Sequence, residues 1–290
     1  MSFNEAEDTF LKVKKSLNCK GTLLDLSTPA IMGILNITPD SFYDGGLLKN
    51  DNSIITKAES LLIEGATILD IGGQSSRPGA KPISVEEEWN RIFPALKVIV
   101  KEFPDAILSV DTYFAEIAKR SVEEGASIIN DISAGNLDPD MFAFIVHSKV
   151  PYIMMHMKGT PLNMQIDPSY VNLHEEIITF FTEKISALTT EGVTDIVIDP
   201  GFGFGKSVAH NYQLLKHLSL FKMFGFPMLV GLSRKSMVTK VLKTDPSSSL
   251  NGTSVLNTIA LLKGASILRV HDVKEAVEVK ILIDQYLLVD

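Results

Sequence analysis

Apolar residues run along this chain in short blocks, each closing on a polar side chain and each followed by a longer amphipathic stretch. The blocks are rich in Ile, Val, Leu and Met at consecutive rather than alternating positions, which predicts strands buried on both faces of a parallel sheet. Eight strands are predicted, over 31–37, 67–71, 107–110, 127–129, 152–155, 196–198, 228–231 and 266–270. Helices are predicted after them over 53–64, 85–101, 114–124, 139–147, 171–191, 209–223, 235–242 with 249–262, and 273–288. Ser84 and Glu87 have the spacing of a capping box for the second helix. A short helix over 9–16 and a strand over 21–27 precede the repeats.

Eight strand-then-helix units filling one chain predict an α/β fold, a (β/α)8 TIM barrel rather than a doubly wound open sheet. No shift in composition marks a second domain, so 1–290 is expected to be one domain, with 1–29 as an extension closing the barrel. The formal net charge of −8 argues against nucleic acid or an anionic membrane as partner. No apolar run approaches the ~20 residues a bilayer requires. Cys19 is the sole cysteine, which excludes an internal disulfide and a cysteine metal cluster. With an acidic, polar N-terminus in place of a secretory signal, a reduced cytoplasm is the expected compartment.

In a barrel of this kind the site lies at the C-terminal strand ends. Those ends carry Asn36, Asp40, Arg77, Asp111, Asn130, His156, Asp199, Arg234, Lys235, Arg269 and His271. They divide by chemistry into two sets. Arg77, Arg269 and His271 form a cationic set in an acidic protein, suited to a small anion such as a phosphate ester. Arg269 and His271 lie two apart on one strand and so share a face. Asp111, Asn130 and Asp199 form an acidic and amide set, suited to a flat heterocycle bearing N–H and C=O groups; a metal site and simple helix capping are the competing readings. The spacing of a zinc centre is absent. Met155, Phe202 and Phe204 are candidates for either core or pocket wall. His156 reads as a structural histidine bonded to a neighbouring strand, and the helical histidines 147, 174, 210 and 217 receive no role.

Eight motifs then fall in order: MGILNITPDSF (32–42), GGQSSRPGA (72–80), SVDT (109–112), INDI (129–132), MHMKGTP (155–161), IDPGFGFGK (198–206), GLSRKS (231–236) and LRVHD (268–272). Together they resemble dihydropteroate synthase, the sulfonamide-target enzymes of folate biosynthesis. The resemblance implies a TIM barrel, usually a homodimer, that joins 6-hydroxymethyl-7,8-dihydropterin diphosphate to 4-aminobenzoate with release of pyrophosphate. It assigns the pterin to Asp111, Asn130, Asp199 and Lys235, with Met155 and Phe204 lining the pocket. It assigns the diphosphate to Asn36, Ser76, Arg77, Arg269 and His271, with Asn36 reaching a Mg2+ ion. The aminobenzoate falls to Phe42, Ser76, Pro78, Lys235 and Ser236. Asp111, Lys235, Arg269 and His271 carry the catalysis in this reading.

One motif departs from the family pattern. The second loop commonly reads Glu-Ser-Thr-Arg, and here it reads Gln74-Ser75-Ser76-Arg77, so a charge and a methyl are lost. Two other functions share the scaffold: a methyltetrahydrofolate–corrinoid methyltransferase, which has no use for a diphosphate clamp, and a pterin-binding paralogue without turnover.

Overall fold

The computed structural model describes residues 12–37, 50–75 and 79–289. It opens with an antiparallel hairpin, β1 (Ser16–Cys19) and β2 (Thr22–Asp25). The helix expected over 9–16 is not found at 12–15, and Ser16 begins a strand; residues 9–11 lie outside the described residues. The reason is periodicity: Leu17 and Cys19 are buried on one face of the hairpin, a spacing of two rather than 3.6.

The repeats follow as predicted in type and order. The strands are β3 (Ala30–Asn36), β4 (Ile68–Gly72), β5 (Ile107–Asp111), β6 (Ile128–Asp131), β7 (Tyr152–Met155), β8 (Ile196–Asp199), β9 (Leu229–Val230) and β10 (Ile267–Val270). The helices between and after them are α1 (Asn50–Ile63), α2 (Val85–Glu102), α3 (Ala115–Glu123), α4 (Asp140–Ser148), α5 (Leu173–Thr190), α6 (Val208–Lys216), α7 (Ser236–Leu242), α8 (Leu250–Leu262) and α9 (Val273–Leu287). The strands pair in parallel in the order β8-β7-β6-β5-β4-β3-β10-β9. A parallel bridge from Ile198 to Met228, with Ile198 N–H donating to the Pro227 carbonyl at 3.0 Å, joins β8 to the start of β9 and brings the barrel round on itself.

Two local expectations are corrected. The predicted helix over 209–223 breaks at His217, and Leu218–Phe224 continues as a 3-10 helix. In that tighter winding Leu218 and Phe221, three apart, fall on one face, and both are buried. The capping box before α2 is half made: Ser84 Oγ accepts from Glu87 N–H at 3.2 Å, while the Glu87 carboxylate turns to Arg91 at 2.5 Å.

Strand parity explains where polar groups can sit. Met32, Ile68, Ile128, Ile153, Val197, Leu229 and Ile267 point inward and pack with Leu17, Cys19, Leu24 and Leu26 of the hairpin, which covers the base of the barrel. The alternate residues, such as Leu69, Val110, Ile129, Met154, Ile198 and Leu268, pack outward against the helices. Two positions further along each strand the side chains again point inward. This second layer includes Asp70, Ser109, Asn130, Met155, Asp199, Gly231 and Arg269. The barrel is thus apolar at its base and polar toward its mouth, because the inward residue type changes two positions along most strands.

Candidate active site

Arg269 is the hub of the polar layer. Its Nε donates to Asp70 Oδ2 at 2.6 Å and its Nη2 to Asp111 Oδ2 at 2.7 Å. Asn130 Nδ2 closes the network on Asp70, 3.3 Å from Oδ2. These contacts skip over intervening strands, which only an interior position allows. The expected separation into a cationic and an acidic set does not hold for Arg269: it lies inside the acidic set. An arginine interior to an apolar barrel requires carboxylate partners, and β4 and β5 supply them.

Charge balance sets the ionisation states. Burial alone would lower the Arg269 pKa, but the Asp70 and Asp111 charges override it and hold the guanidinium charged. Burial pushes Asp111 up to about 7 against the pull of Arg269, with the other carboxylates adding to the rise. Burial also raises Asp199, opposed by Lys235. Lys235 itself is brought down to about 8 by burial, opposed by Asp199.

Lys235 precedes α7 and enters the mouth where β9 offers no side chain: a Cβ on Gly231 would lie 3.7 Å from Lys235 Nζ. Its Nζ donates to the Phe202 carbonyl and stands 5.0 Å from the centroid of the Phe204 ring. Phe204 belongs to an apolar rim with Tyr113, Ile132 and Met155. Phe202, by contrast, is fully buried core. A polar floor of carboxylates, amide and ammonium beside an apolar rim is the chemistry of a pocket for a heteroaromatic ligand with several N–H groups.

Toward the outer edge, Asn36 Oδ1 and Asp111 flank Gly72; a Cβ there would lie 3.4 Å from the former and 3.6 Å from the latter's Cβ. Ser233 Oγ lies 3.0 Å from His271 Nδ1. Arg234 turns away and pairs with Asp272 at 2.5 Å. Ser236 is exposed at the start of α7.

The family model described as pterin binding enzyme matches residues 32–271. The dihydropteroate synthase of Escherichia coli strain K12 is 44% identical over 264 residues, 90% of this chain and 93% of that protein. The chain belongs to the pterin binding enzymes, in the dihydropteroate synthase family. Among solved structures, a Yersinia pestis dihydropteroate synthase in complex with a sulfonamide drug superposes with a TM-score of 0.89 at 43% identity, covering 94% of this chain and all of that one. A Xanthomonas albilineans dihydropteroate synthase with 4-aminobenzoic acid gives 0.89 at 37% identity, covering 96% of this chain and all of that one.

Within this family framework the structure brings Asp111, Asn130, Met155, Asp199, Phe204, Lys235 and Arg269 to one mouth, with Asn36, His271 and Ser236 around it. Asp40, Phe42, Ser76, Arg77 and Pro78, and the loop over 38–46, lie outside the described residues. Two residues given no role by the sequence reading, Asp70 and Lys206, belong to the site or its support, and Gln74, singled out there as a departure, gains its contacts here. Asp70 is fully buried and bonded to Arg269; a lone carboxylate inside the apolar run ILDIG was its signal. Lys206 is buried beneath the glycine loop. Gln74 Nε2 donates to the Tyr113 hydroxyl at 2.7 Å, and Gln74 Oε1 accepts from Ile83 N–H at 3.4 Å, so the departing residue ties its own loop's two ends to the rim. His156 is structural as expected, its N–H donating to the Asp199 carbonyl at 2.9 Å, but its ring meets Lys206 rather than a strand.

Proposed function

We propose that this chain acts as a dihydropteroate synthase in folate synthesis, condensing 6-hydroxymethyl-7,8-dihydropterin diphosphate with 4-aminobenzoate to give 7,8-dihydropteroate and pyrophosphate. The observation that carries the reading is the Asp70–Arg269–Asp111 network beside Asn130, Asp199 and Lys235, under an apolar rim, in a chain of this family. Asp111, Asn130, Asp199 and Lys235 bind the edge of the pterin, and Met155 and Phe204 cover its face. Arg269 and His271, with Asn36, Ser76 and Arg77, receive the diphosphate. Phe42, Ser76, Pro78, Lys235 and Ser236 form the aminobenzoate side.

An aryl amine is a weak nucleophile, so the burden falls on breaking the bond between the pterin methylene carbon and the diphosphate oxygen. As that bond ionises, positive charge grows on the pterin and negative charge on the leaving group. The Asp111 and Asp199 carboxylates face the first, and the Arg269 guanidinium, preorganised by its carboxylate partners, meets the second. Asp70 holds Arg269 in place without touching substrate. The amine nitrogen then bonds to the methylene carbon and releases its proton. No covalent bond to the enzyme is required.

Asn36 is the residue we assign to a Mg2+ ion. Its side-chain oxygen is a hard donor facing the same opening as Asp111, which suits an ion that keeps most of its shell as water and substrate phosphate. When bound, the ion neutralises diphosphate charge.

We further propose a homodimer in the cytoplasm. The neighbouring helices α8 and α9 expose Leu262, Ile281, Leu282, Tyr286 and Leu287, an apolar face suited to a second copy. No described helix is long and apolar enough to cross a membrane.

The test is pyrophosphate release by the purified protein with pterin diphosphate, Mg2+ and 4-aminobenzoate. Release that needs both substrates and is suppressed by a sulfonamide supports the synthase. Pterin diphosphate binding without release would replace it with an inert paralogue. Light scattering at micromolar concentration tests the dimer.

A further inference from the structure

Beneath the candidate pterin site lies a lysine that reaches the pocket through backbone, at the Phe204 carbonyl. Lys206 ends the motif GFGFGK and is only 2% exposed. Its Nζ lies 2.9 Å from His156 Nδ1, 2.9 Å from the Gly201 carbonyl, 3.1 Å from the Phe204 carbonyl and 3.4 Å from the His156 carbonyl. One ammonium therefore joins the residue that follows β7 to the loop that follows β8. Burying it is costly: desolvation brings its pKa down to about 7. Burial and the nearby Lys206 charge bring His156 down to about 2, so its ring is neutral and Nδ1 is the acceptor.

The loop it gathers leaves no room for a side chain at two positions. Gly201 and Gly205 both have positive φ, 74° and 65°. A Cβ on Gly201 would fall 1.9 Å from the His156 carbonyl oxygen, and one on Gly205 would fall 2.3 Å from that of Lys158. The loop backbone thus lies directly on residues 156–158, and its Gly201 and Phe204 carbonyls turn inward to the ammonium. Its outer side carries the contacts that hold Lys235: the Phe202 carbonyl accepts from Lys235 Nζ, and the Phe204 ring lies alongside that ammonium.

We propose that Lys206 and His156 are positioning residues for the pterin site: the buried Lys206–His156 hydrogen bond sets the glycine loop whose Phe202 carbonyl and Phe204 ring place Lys235 at the mouth of the barrel. This inference rests on the synthase reading above and extends it to two residues behind the pocket. The gathered carbonyls form one unit, so the loss of the ammonium frees several at once. The loop then relaxes, and the ligand must reorder it on binding, which lowers affinity even where the fold survives.

The experiment uses the full chain and three variants, Lys206→Met, His156→Leu and His156→Asn. The first two remove one partner with little change in volume. In the third, the asparagine Oδ1 occupies nearly the position of histidine Nδ1 and restores an acceptor. Calorimetry gives the dissociation constant for pterin diphosphate, steady-state kinetics gives KM for 4-aminobenzoate, and thermal melting gives Tm. We expect Lys206→Met and His156→Leu to weaken pterin diphosphate by about tenfold or more, KM for 4-aminobenzoate to rise as well because Lys235 also serves that side, and His156→Asn to recover most of both losses. A fall in Tm with pterin affinity unchanged would overturn the proposal and leave the pair a purely structural one. So would equal losses in His156→Leu and His156→Asn. Should Lys206→Met fail to fold, the two His156 variants decide the matter. Failure of the wild-type protein to bind pterin diphosphate would overturn the synthase reading itself; loss of the variant effect with wild-type binding intact would overturn this inference alone.

Discussion

Arg269 on β10 and Asp111 on β5 meet at 2.7 Å across the mouth of the barrel, although 158 residues and two intervening strands separate them. Asp70, from a third strand, holds the same guanidinium at 2.6 Å. An arginine and two carboxylates buried in an apolar barrel are stable only as a set, so each substitution within it has both a structural and a chemical consequence.

Arg269→Met leaves Asp70 and Asp111 facing each other without a counter-charge. Breaking a buried pair by removing one partner costs about 3–5 kcal/mol. Chemical denaturation should show a loss of that order, and pyrophosphate release should fall by at least about a hundredfold through the lost leaving-group charge. A variant of wild-type stability would show that the carboxylates find other partners.

Lys235→Ala separates binding of the pterin from binding of the diphosphate. Lys235 is bonded to the Phe202 carbonyl and lies beside the Phe204 ring, whereas Arg269 is engaged by Asp70 and Asp111. Its loss should weaken the pterin by about tenfold or more and leave pyrophosphate within about threefold, as titration with each ligand separately would read. Equal losses for both ligands would place the lysine on the diphosphate instead.

Glu88, on α2, is fully buried, and the Thr112 hydroxyl and the Arg91 charge only partly offset the cost of its ionised form. Burial pushes its pKa from 4.5 up to about 7. A folded-state pKa above the unfolded one means stability that is fully present below pH 4.5 and lost as pH rises through 7. Glu88→Gln removes that dependence. Its Tm should match the wild type near pH 5 and exceed it by pH 8; a difference that does not change with pH would refute the assignment.

Tyr113→Phe and Gln74→Leu each break the same bond between the second loop and the rim. Each should cost about 1 kcal/mol in urea denaturation. The double variant should cost less than the two losses added, since one interaction is removed by either change. Full additivity would show that Gln74 acts through its contact with Ile83 alone.

The barrel was legible because its evidence is local and repeated. Each strand announces itself by an apolar run, and the polar residue that ends it, as at Asp111 and Asp199, marks the end that faces the site. Gln74 was legible as a departure but not as a contact, because Tyr113 lies 39 residues away. The second strand of the hairpin was legible, but its first strand at 16–19 and the break at His217 were not. Both are settled by which side chains the barrel base and neighbouring helices can bury, not by local preference.

By itself, the amino-acid sequence determined the order and type of the repeats, the family, and the residues at the strand ends, all of which depend on spacing along one segment. Closure of the barrel decided the rest. It turned Asp70 from an isolated carboxylate in an apolar strand into the partner of Arg269, and it placed the Arg269 cation among the acids. It also seated Lys206 under the loop that carries Phe204. Each of these depends on inward direction and on distances between strands far apart in sequence, and burial then raises the energetic weight of every charge so placed.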